Sequence, residues 1–139
     1  MKILGLALSA IVIIIFVFMF INKIAPISWG LYGDVNTVEC IALNGADAVA
    51  YFTEGKYAQG NPEFSVSSND ANWYFSSETN KQLFLQAPEK YMPQYGGYCA
   101  FAISQGVTAT ANPQDWTIQD GKLYIFNGVE PLNDWVDEI

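Results

Sequence analysis

The most distinctive segment of this 139-residue chain is Tyr95-Gly96-Gly97-Tyr98-Cys99-Ala100-Phe101-Ala102. A glycine pair allows positive φ or a close backbone approach, and the residues that follow it, up to Gly106, predict a helix. Cys99 is then expected in the first turn, where unpaired backbone N–H groups and the helix dipole stabilise a thiolate. Such a cysteine is a candidate nucleophile or soft-metal ligand. The alternative is that Cys99 is a small buried apolar residue.

The chain has only one other cysteine, Cys40. A disulfide between Cys40 and Cys99 is permitted in an oxidising compartment, but the sequence does not place their Cα atoms within bridging distance. Both a bridge and two free thiols therefore stay open. Met92 is the third soft donor of the exported part.

Residues 3–21 form a run of nineteen residues without a charge. A helix of that length crosses the hydrocarbon layer of a bilayer, so residues 1–23 are predicted to be a transmembrane anchor. A cleavable signal peptide is the alternative, although Ser28-Trp29-Gly30 is a poor cleavage site. In both cases the remainder is expected on the extracytoplasmic, periplasmic side, either anchored in the membrane or secreted. Residues 24–37 are predicted to be a juxtamembrane linker and residues 38–139 the domain.

Residues 24–139 contain four lysines against fourteen acidic residues, a net charge of −10. Such a surface repels phosphate backbones, which makes nucleic acid an unsuitable partner. The chain has no histidine, so it supplies neither a Ser-His or Cys-His pair nor an imidazole metal ligand.

The exported part predicts an α+β domain with a small, mainly antiparallel sheet and two or three short helices. Strands are expected at 38–43, 63–66, 72–75, 116–118 and 123–126, the last two joined by a hairpin at Asp120-Gly121. A helix capped by Ser76 or Ser77 is expected to bury Leu83, Phe84 and Leu85 on one side, and residues 130–138 predict a terminal helix. Asp47, directly after the Asn44-Gly45 turn, is expected to cap backbone N–H groups.

Several segments together resemble the YHS domain, in the exported branch with a Gly-Gly-Tyr-Cys-Ala segment. The similar segments are 45–56, 73–77, Asn80, Phe84, 88–91, 95–100 and 116–124. They occur in order and cover residues 38–126. The resemblance implies a small α+β module of a family regarded as binding copper or other heavy metals.

Metal-binding members of that family carry three cysteines at positions that correspond here to Ala50, Ser76 and Asn80. The resemblance therefore matches the scaffold but not the metal site of those members. Soft cations such as Cu(I) need thiolate, thioether or imidazole donors, which leaves Cys99, with Cys40 and Met92 as weaker helpers.

Three functions follow from these residues. The first is a membrane-anchored, non-enzymatic metal-handling module centred on Cys99. The second is a non-catalytic domain that binds a small ligand or a protein, in which Cys99 is structural and the candidate contact residues are Asp47, Tyr51, Tyr95 and Tyr98. The third is a thiol redox role with Cys40 as the resolving residue, which lacks a Cys-x-x-Cys motif. No catalysis is predicted, because Asp115 and Asp120 are explained by turns.

Overall fold

The computed structural model describes residues 2–137, with side chains from Leu8 to Val136. Within that range the helices are α1 (Lys2–Ile21), α2 (Ala50–Thr53), α3 (Glu78–Gln86), α4 (Pro88–Tyr91), α5 (Ala100–Ser104) and α6 (Val129–Asp137). The strands are β1 (Ala25–Pro26), β2 (Thr37–Val38), β3 (Ile41–Ala42), β4 (Asn61–Ser68), β5 (Ala71–Phe75), β6 (Val107–Thr108), β7 (Asn112–Gln119) and β8 (Lys122–Phe126). Short 3-10 turns lie at Ile27–Trp29, Leu43–Gly45 and Gln94–Gly97.

The architecture is α+β, but the strands form three sheets rather than the single small sheet that was predicted. The largest has the order β2-β3-β5-β4, and it is antiparallel except where Ile41 of β3 pairs in parallel with Asn72 of β5. The pairs β7-β8 and β1-β6 form the other two sheets, both antiparallel. After α1, the described chain has five helices instead of two or three, because α2 and α4 are single turns of four residues that carry no amphipathic pattern.

Two hairpins contribute to the larger core cluster, together with residues 42–51. The turn between β4 and β5 is Asn69-Asp70 and that between β7 and β8 is Asp120-Gly121, all four residues with positive φ. The second of these confirms the predicted Asp-Gly hairpin. The alternate residues of β5 are buried and share one apolar cluster with Leu123 and Ile125 of β8. The hairpins therefore meet through their side chains and not edge to edge, which is why they remain separate sheets.

Helix α3 covers this core. Ser77 is its N-cap and accepts a hydrogen bond from the Asn80 amide at 3.2 Å, as predicted. Phe84 is buried, and its ring centroid lies 5.3 Å from that of Trp73 and 5.0 Å from that of Phe75. Leu83 is partly buried against the same cluster, but Leu85 is exposed, contrary to the prediction, because three consecutive helical residues span about 200° and cannot all face the core.

A second, smaller cluster contains Cys99, Ala100 and Phe126. The predicted terminal helix is present as α6 and covers this cluster with Leu132 and Trp135, whereas Val136 is exposed. Glu138 lies outside the described residues. The ring centroids of Phe126 and Trp135 are 5.9 Å apart.

The prediction of a transmembrane helix at residues 3–21 is wrong. Among the described residues, none of the helices combines the length and the apolar character that crossing a membrane requires. In α1 the described side chains run from Leu8 to Ile21, and residues 3–7 lie outside that range.

Candidate functional site

The Gly96-Gly97 pair is explained by backbone geometry. Both glycines have positive φ, 64° at Gly96 and 80° at Gly97. A Cβ on Gly96 would lie 1.8 Å from the carbonyl oxygen of Asp34, and a Cβ on Gly97 would lie 2.9 Å from Cδ2 of Leu43. The pair therefore provides both the positive φ and the close backbone approach that glycine allows, and the approaching segment is the N-terminal part of the same chain.

This N-terminal segment, residues 22–38, is hydrogen-bonded to the domain, which differs from the linker predicted at residues 24–37. Asn36 donates through its backbone N–H to the Gly96 carbonyl at 2.9 Å and through Nδ2 to the Gly97 carbonyl at 3.2 Å. Tyr98 donates its hydroxyl to the Gly33 carbonyl at 3.0 Å. The three bonds join the residues before β2 to the Gly-Gly turn.

The start of the segment is held by β6. Strand β1 pairs with β6, and the Thr108 hydroxyl donates to the Lys23 carbonyl at 2.7 Å. The Thr110 amide donates to the Asn22 carbonyl at 2.9 Å. A linker prediction missed this because two-residue strands leave almost no periodic signal in a sequence.

Cys99 is buried in the second apolar cluster, 3% exposed. It is the N-cap residue of α5 and not part of its first turn, and its side chain makes no capping hydrogen bond. Its backbone N–H donates to the Ala109 carbonyl at 3.1 Å, and its carbonyl accepts from the Ile103 amide at 3.1 Å. The backbone at Cys99 is thus paired, and the thiol lies against apolar neighbours.

The three predicted soft donors lie in different surroundings. Cys40 is exposed on the turn between β2 and β3, and both cysteines are free thiols. Met92 packs against the larger core cluster, where its Sδ accepts from Nδ2 of Asn69 at 3.7 Å. In the part of the chain that the structure describes, no group of three His, Cys, Asp or Glu residues is placed to hold a metal ion. These donors do not fit the soft-metal centre that the resemblance implies.

Asp47 is the centre of a buried polar network. Its Oδ1 accepts from the Val49 amide at 2.9 Å and from the Ala50 amide at 3.2 Å, which confirms the predicted cap. Its Oδ2 accepts from the Ser76 amide at 2.8 Å, the Ser76 hydroxyl at 2.7 Å and Nδ2 of Asn80 at 2.7 Å. The carboxylate has no exposed surface, and five donors neutralise the cost of its burial.

The network joins three residues, Ala50, Ser76 and Asn80, at which the resemblance described above implies cysteines in metal-binding relatives. Ala50, Ser76 and Asn80 all donate to Asp47, through a backbone amide at Ala50 and through side chains at Ser76 and Asn80. Both carboxylate oxygens of Asp47 accept hydrogen bonds, so the network links α2, the end of β5 and α3. We call these hydrogen bonds the structural latch. It offers a cation no vacant oxygen.

Tyr51 is also closed to solvent. Its hydroxyl donates to the Pro113 carbonyl at 2.7 Å, and its ring centroid lies 4.9 Å from that of Trp116. Burial, together with Tyr57 and Asp47, raises the pKa of the Tyr51 hydroxyl far above its usual range. Asp47 and Tyr51 thus belong to the core, and Tyr98 is also buried at 4% exposure, whereas Tyr95 is 46% exposed.

An open cavity of about 450 Å³ lies between the N-terminal segment, Tyr98 and the turn that joins β4 to β5. Its polar lining comes from Lys23, Tyr32, Asp34, Asn69, Asp70 and Tyr98. A second cavity of about 350 Å³ shares Tyr32, Gly33, Asp34 and Tyr98 with the first and adds Tyr95. The predicted contact residues Tyr95 and Tyr98 therefore line one cavity together, Tyr95 as an exposed residue and Tyr98 as a buried one.

The charged groups of the larger cavity differ in their bonding. The Lys23 ammonium donates to Oδ1 of Asn36 at 2.9 Å and to the Thr37 carbonyl, and burial lowers the pKa of Lys23. Burial is the main cause that raises the pKa of the Tyr98 hydroxyl, and the neighbouring Tyr32 and Asp34 raise it further. Within residues 8–136, neither the Asp34 nor the Asp70 carboxylate has a hydrogen-bond or ion-pair partner.

Sequence analysis missed the cavity residues Lys23, Tyr32, Asp34 and Asp70. The first three fall in the segment that was interpreted as membrane flank and linker. A lysine and an aromatic residue are common there because both residue types are enriched at a membrane–water interface. Asp70 carries the ordinary signature of a turn residue. Comparisons with protein-family models, with curated proteins and with solved structures found no match to this chain.

Proposed function

We propose that this chain is a non-catalytic domain that binds a small polar molecule in the larger cavity. The observation that carries the proposal is the combination of a cavity of about 450 Å³ with the carboxylates of Asp34 and Asp70, which have no partner in the described chain. Small-molecule sites typically enclose about 300–1,000 Å³ and contain a few oriented polar groups. The size of this cavity falls within that range, and its mainly polar lining suits a polar ligand.

The walls of the cavity are fixed before any ligand arrives. Asn36 ties the N-terminal segment to Gly96 and Gly97, and Tyr98 ties it to Gly33. Strands β4 and β5 fix the turn that carries Asn69 and Asp70. A preformed site costs little ordering entropy on binding, which supports recognition of a small molecule by few contacts.

The burial of Cys99 supports this choice over the metal-handling module. A thiol that is 3% exposed among Ala100 and Phe126 is a packing group, which agrees with the interpretation of Cys99 as structural. Copper binding at Cys99 stays a prediction of the sequence alone, as does a periplasmic location. The resemblance to the YHS domain is part of the proposal, supported by the meeting of Ala50, Ser76 and Asn80 around Asp47.

A variant that fills the cavity tests the proposal. Gly33 lines the cavity, its φ is not in the left-handed region, and a Cβ there would meet only the Val35 carbonyl at 3.9 Å. Gly33→Phe should therefore fold and abolish the binding of fragments found by screening polar metabolites on the full chain. Val38→Phe is the matched control, because Val38 is 53% exposed and lies outside this cavity.

Retained binding in Gly33→Phe, with both variants folded, would contradict the assignment of the cavity. A screen in which no fragment binds the unmodified chain would contradict small-molecule binding itself.

A further inference from the structure

The larger cavity presents both signs of charge. Asp34 and Asp70 are exposed at its rim, one from the N-terminal segment and one from the turn between β4 and β5. Lys23 is partly buried on the same lining. Across residues 8–136 no ion pair joins Lys23 to either carboxylate. The fold therefore keeps the Lys23 ammonium from pairing with the carboxylate of Asp34 or Asp70.

The bonding of Lys23 leaves it one donor. An ammonium group has three N–H donors, and two are used on Oδ1 of Asn36 and on the carbonyl of Thr37. The same two bonds fix the position of Nζ. The remaining N–H suits one anionic acceptor from a ligand, and partial burial strengthens that attraction relative to the attraction in bulk water.

The rim suits a cation. The carboxylates of Asp34 and Asp70 are free to accept from an ammonium group, and Tyr32 and Tyr98 lie on the same lining. The Tyr98 hydroxyl donates to the Gly33 carbonyl, so the lone pairs of the hydroxyl oxygen stay available to accept a hydrogen bond. Aromatic rings near a cation add to the attraction.

We propose that the cavity selects a zwitterionic amino compound, with the ligand carboxylate on Lys23 and the ligand ammonium at Asp34 and Asp70. This inference rests on the proposed function and names its ligand class. A simple anion would meet two carboxylates on a chain of net charge −8, and a simple amine would leave the Lys23 donor unused and be repelled by it. Only a molecule with both charges satisfies both groups.

Matched probes separate these classes. Titration of the full chain with ω-amino acids from glycine to 6-aminohexanoate, followed by NMR, should find a chain length that binds at least about tenfold more tightly than the amine or the carboxylate of the same length. Added salt should weaken this binding, because the contacts are between charges at a rim. Equal binding of the amine and the zwitterion would overturn the inference.

Asp70→Asn should lower the affinity for the best zwitterion by about tenfold. Asp120→Asn is the matched control and should leave the affinity unchanged, because Asp120 lies in the other hairpin turn, also with positive φ, and outside the cavity. Lys23→Met should remove the preference for the zwitterion over the amine. If Lys23→Met fails to fold, the comparison of the zwitterion with the amine of the same length on the unmodified chain still decides the question.

The outcomes distinguish the ligand class from the function. If screened fragments bind and are excluded by Gly33→Phe, but the zwitterions do not bind or are unaffected by Asp70→Asn, the ligand class is overturned and the binding function stands. If no screened fragment and no zwitterion binds the unmodified chain, both are overturned.

Discussion

The chain uses aspartate in two opposite ways. Asp47 is fully buried and accepts five hydrogen bonds, so its carboxylate is consumed by the fold. Asp34 and Asp70 line an open cavity and have no partner within residues 8–136. The same functional group is therefore structural at one place and available for a ligand at the other. Burial and the number of hydrogen-bond donors decide whether an aspartate is structural or available for a ligand. Each prediction below tests one side of this comparison.

The largest effect is expected at Asp47. Asp47→Ala removes the acceptor for two amides near α2 and for the polar groups of Ser76 and Asn80. Hydrogen bonds to a charged group contribute roughly 1.5–3 kcal/mol each, and water recovers part of the loss, so the free energy of unfolding should fall by about 5 kcal/mol. Chemical denaturation measures this, with Asp120→Asn as the control. A loss below about 1 kcal/mol would show that the latch is not structural.

Phe84→Ala tests the core that the latch holds in place. Phe84 is 1% exposed and contacts the rings of Trp73 and Phe75. Its removal should lower the free energy of unfolding by about 3–5 kcal/mol. Leu85→Ala is the internal control, because Leu85 is 49% exposed and should change stability by less than about 1 kcal/mol. Similar losses for the two variants would show that α3 is rotated.

Gly96→Ala connects the two regions of the comparison. The new Cβ would lie 1.8 Å from the Asp34 carbonyl oxygen, so the N-terminal segment has to move and the cavity with it. Gly55→Ala carries the same strain without the clash, since φ is 63° at Gly55 and nothing lies within 4 Å. Gly96→Ala should cost about 1–3 kcal/mol more stability than Gly55→Ala and should also lose ligand binding. Equal effects in denaturant melts would contradict the close approach.

The smallest effect is expected at Cys99. Native protein should be alkylated at the exposed Cys40, while Cys99 reacts only on unfolding. Cys99→Ser should cost about 1–3 kcal/mol, because it buries a hydroxyl among apolar groups, and Cys40→Ser should be nearly neutral. Mass spectrometry after a timed iodoacetamide pulse measures the first effect. Fast native alkylation of Cys99, or Cu(I) binding abolished by Cys99→Ser, would restore the metal-handling function.

Local patterns predicted the parts of the fold that depend on neighbours in sequence. The caps at Asp47 and Ser77 and the Asp120-Gly121 hairpin follow from bonds between residues two to five apart, and each is present. The burial of Phe84 follows from helical spacing. These features are predictable because the chain supplies both partners within one turn or one hairpin.

The candidate site depends on contacts that are distant in sequence. The cavity exists because Asn36 bonds to Gly96 and Gly97, about sixty residues away, and because two-residue strands hold Ala25 beside Thr108. The composition of the N-terminal segment, residues 22–38, is instead typical of a region next to a membrane helix. The glycine pair correctly predicted a close approach of another backbone segment. Its pattern did not indicate that Asp34 is the residue that approaches.

The most direct test of the account is one NMR titration of the isotope-labelled full chain with its best small polar ligand. The account predicts that amide shifts change at Gly33, Asn69 and Asp70, which line the cavity, and stay constant at Ser76 and Asn80, which surround the buried carboxylate. Changes centred on Ser76 and Asn80, or on Cys99, with none at the cavity, would contradict it.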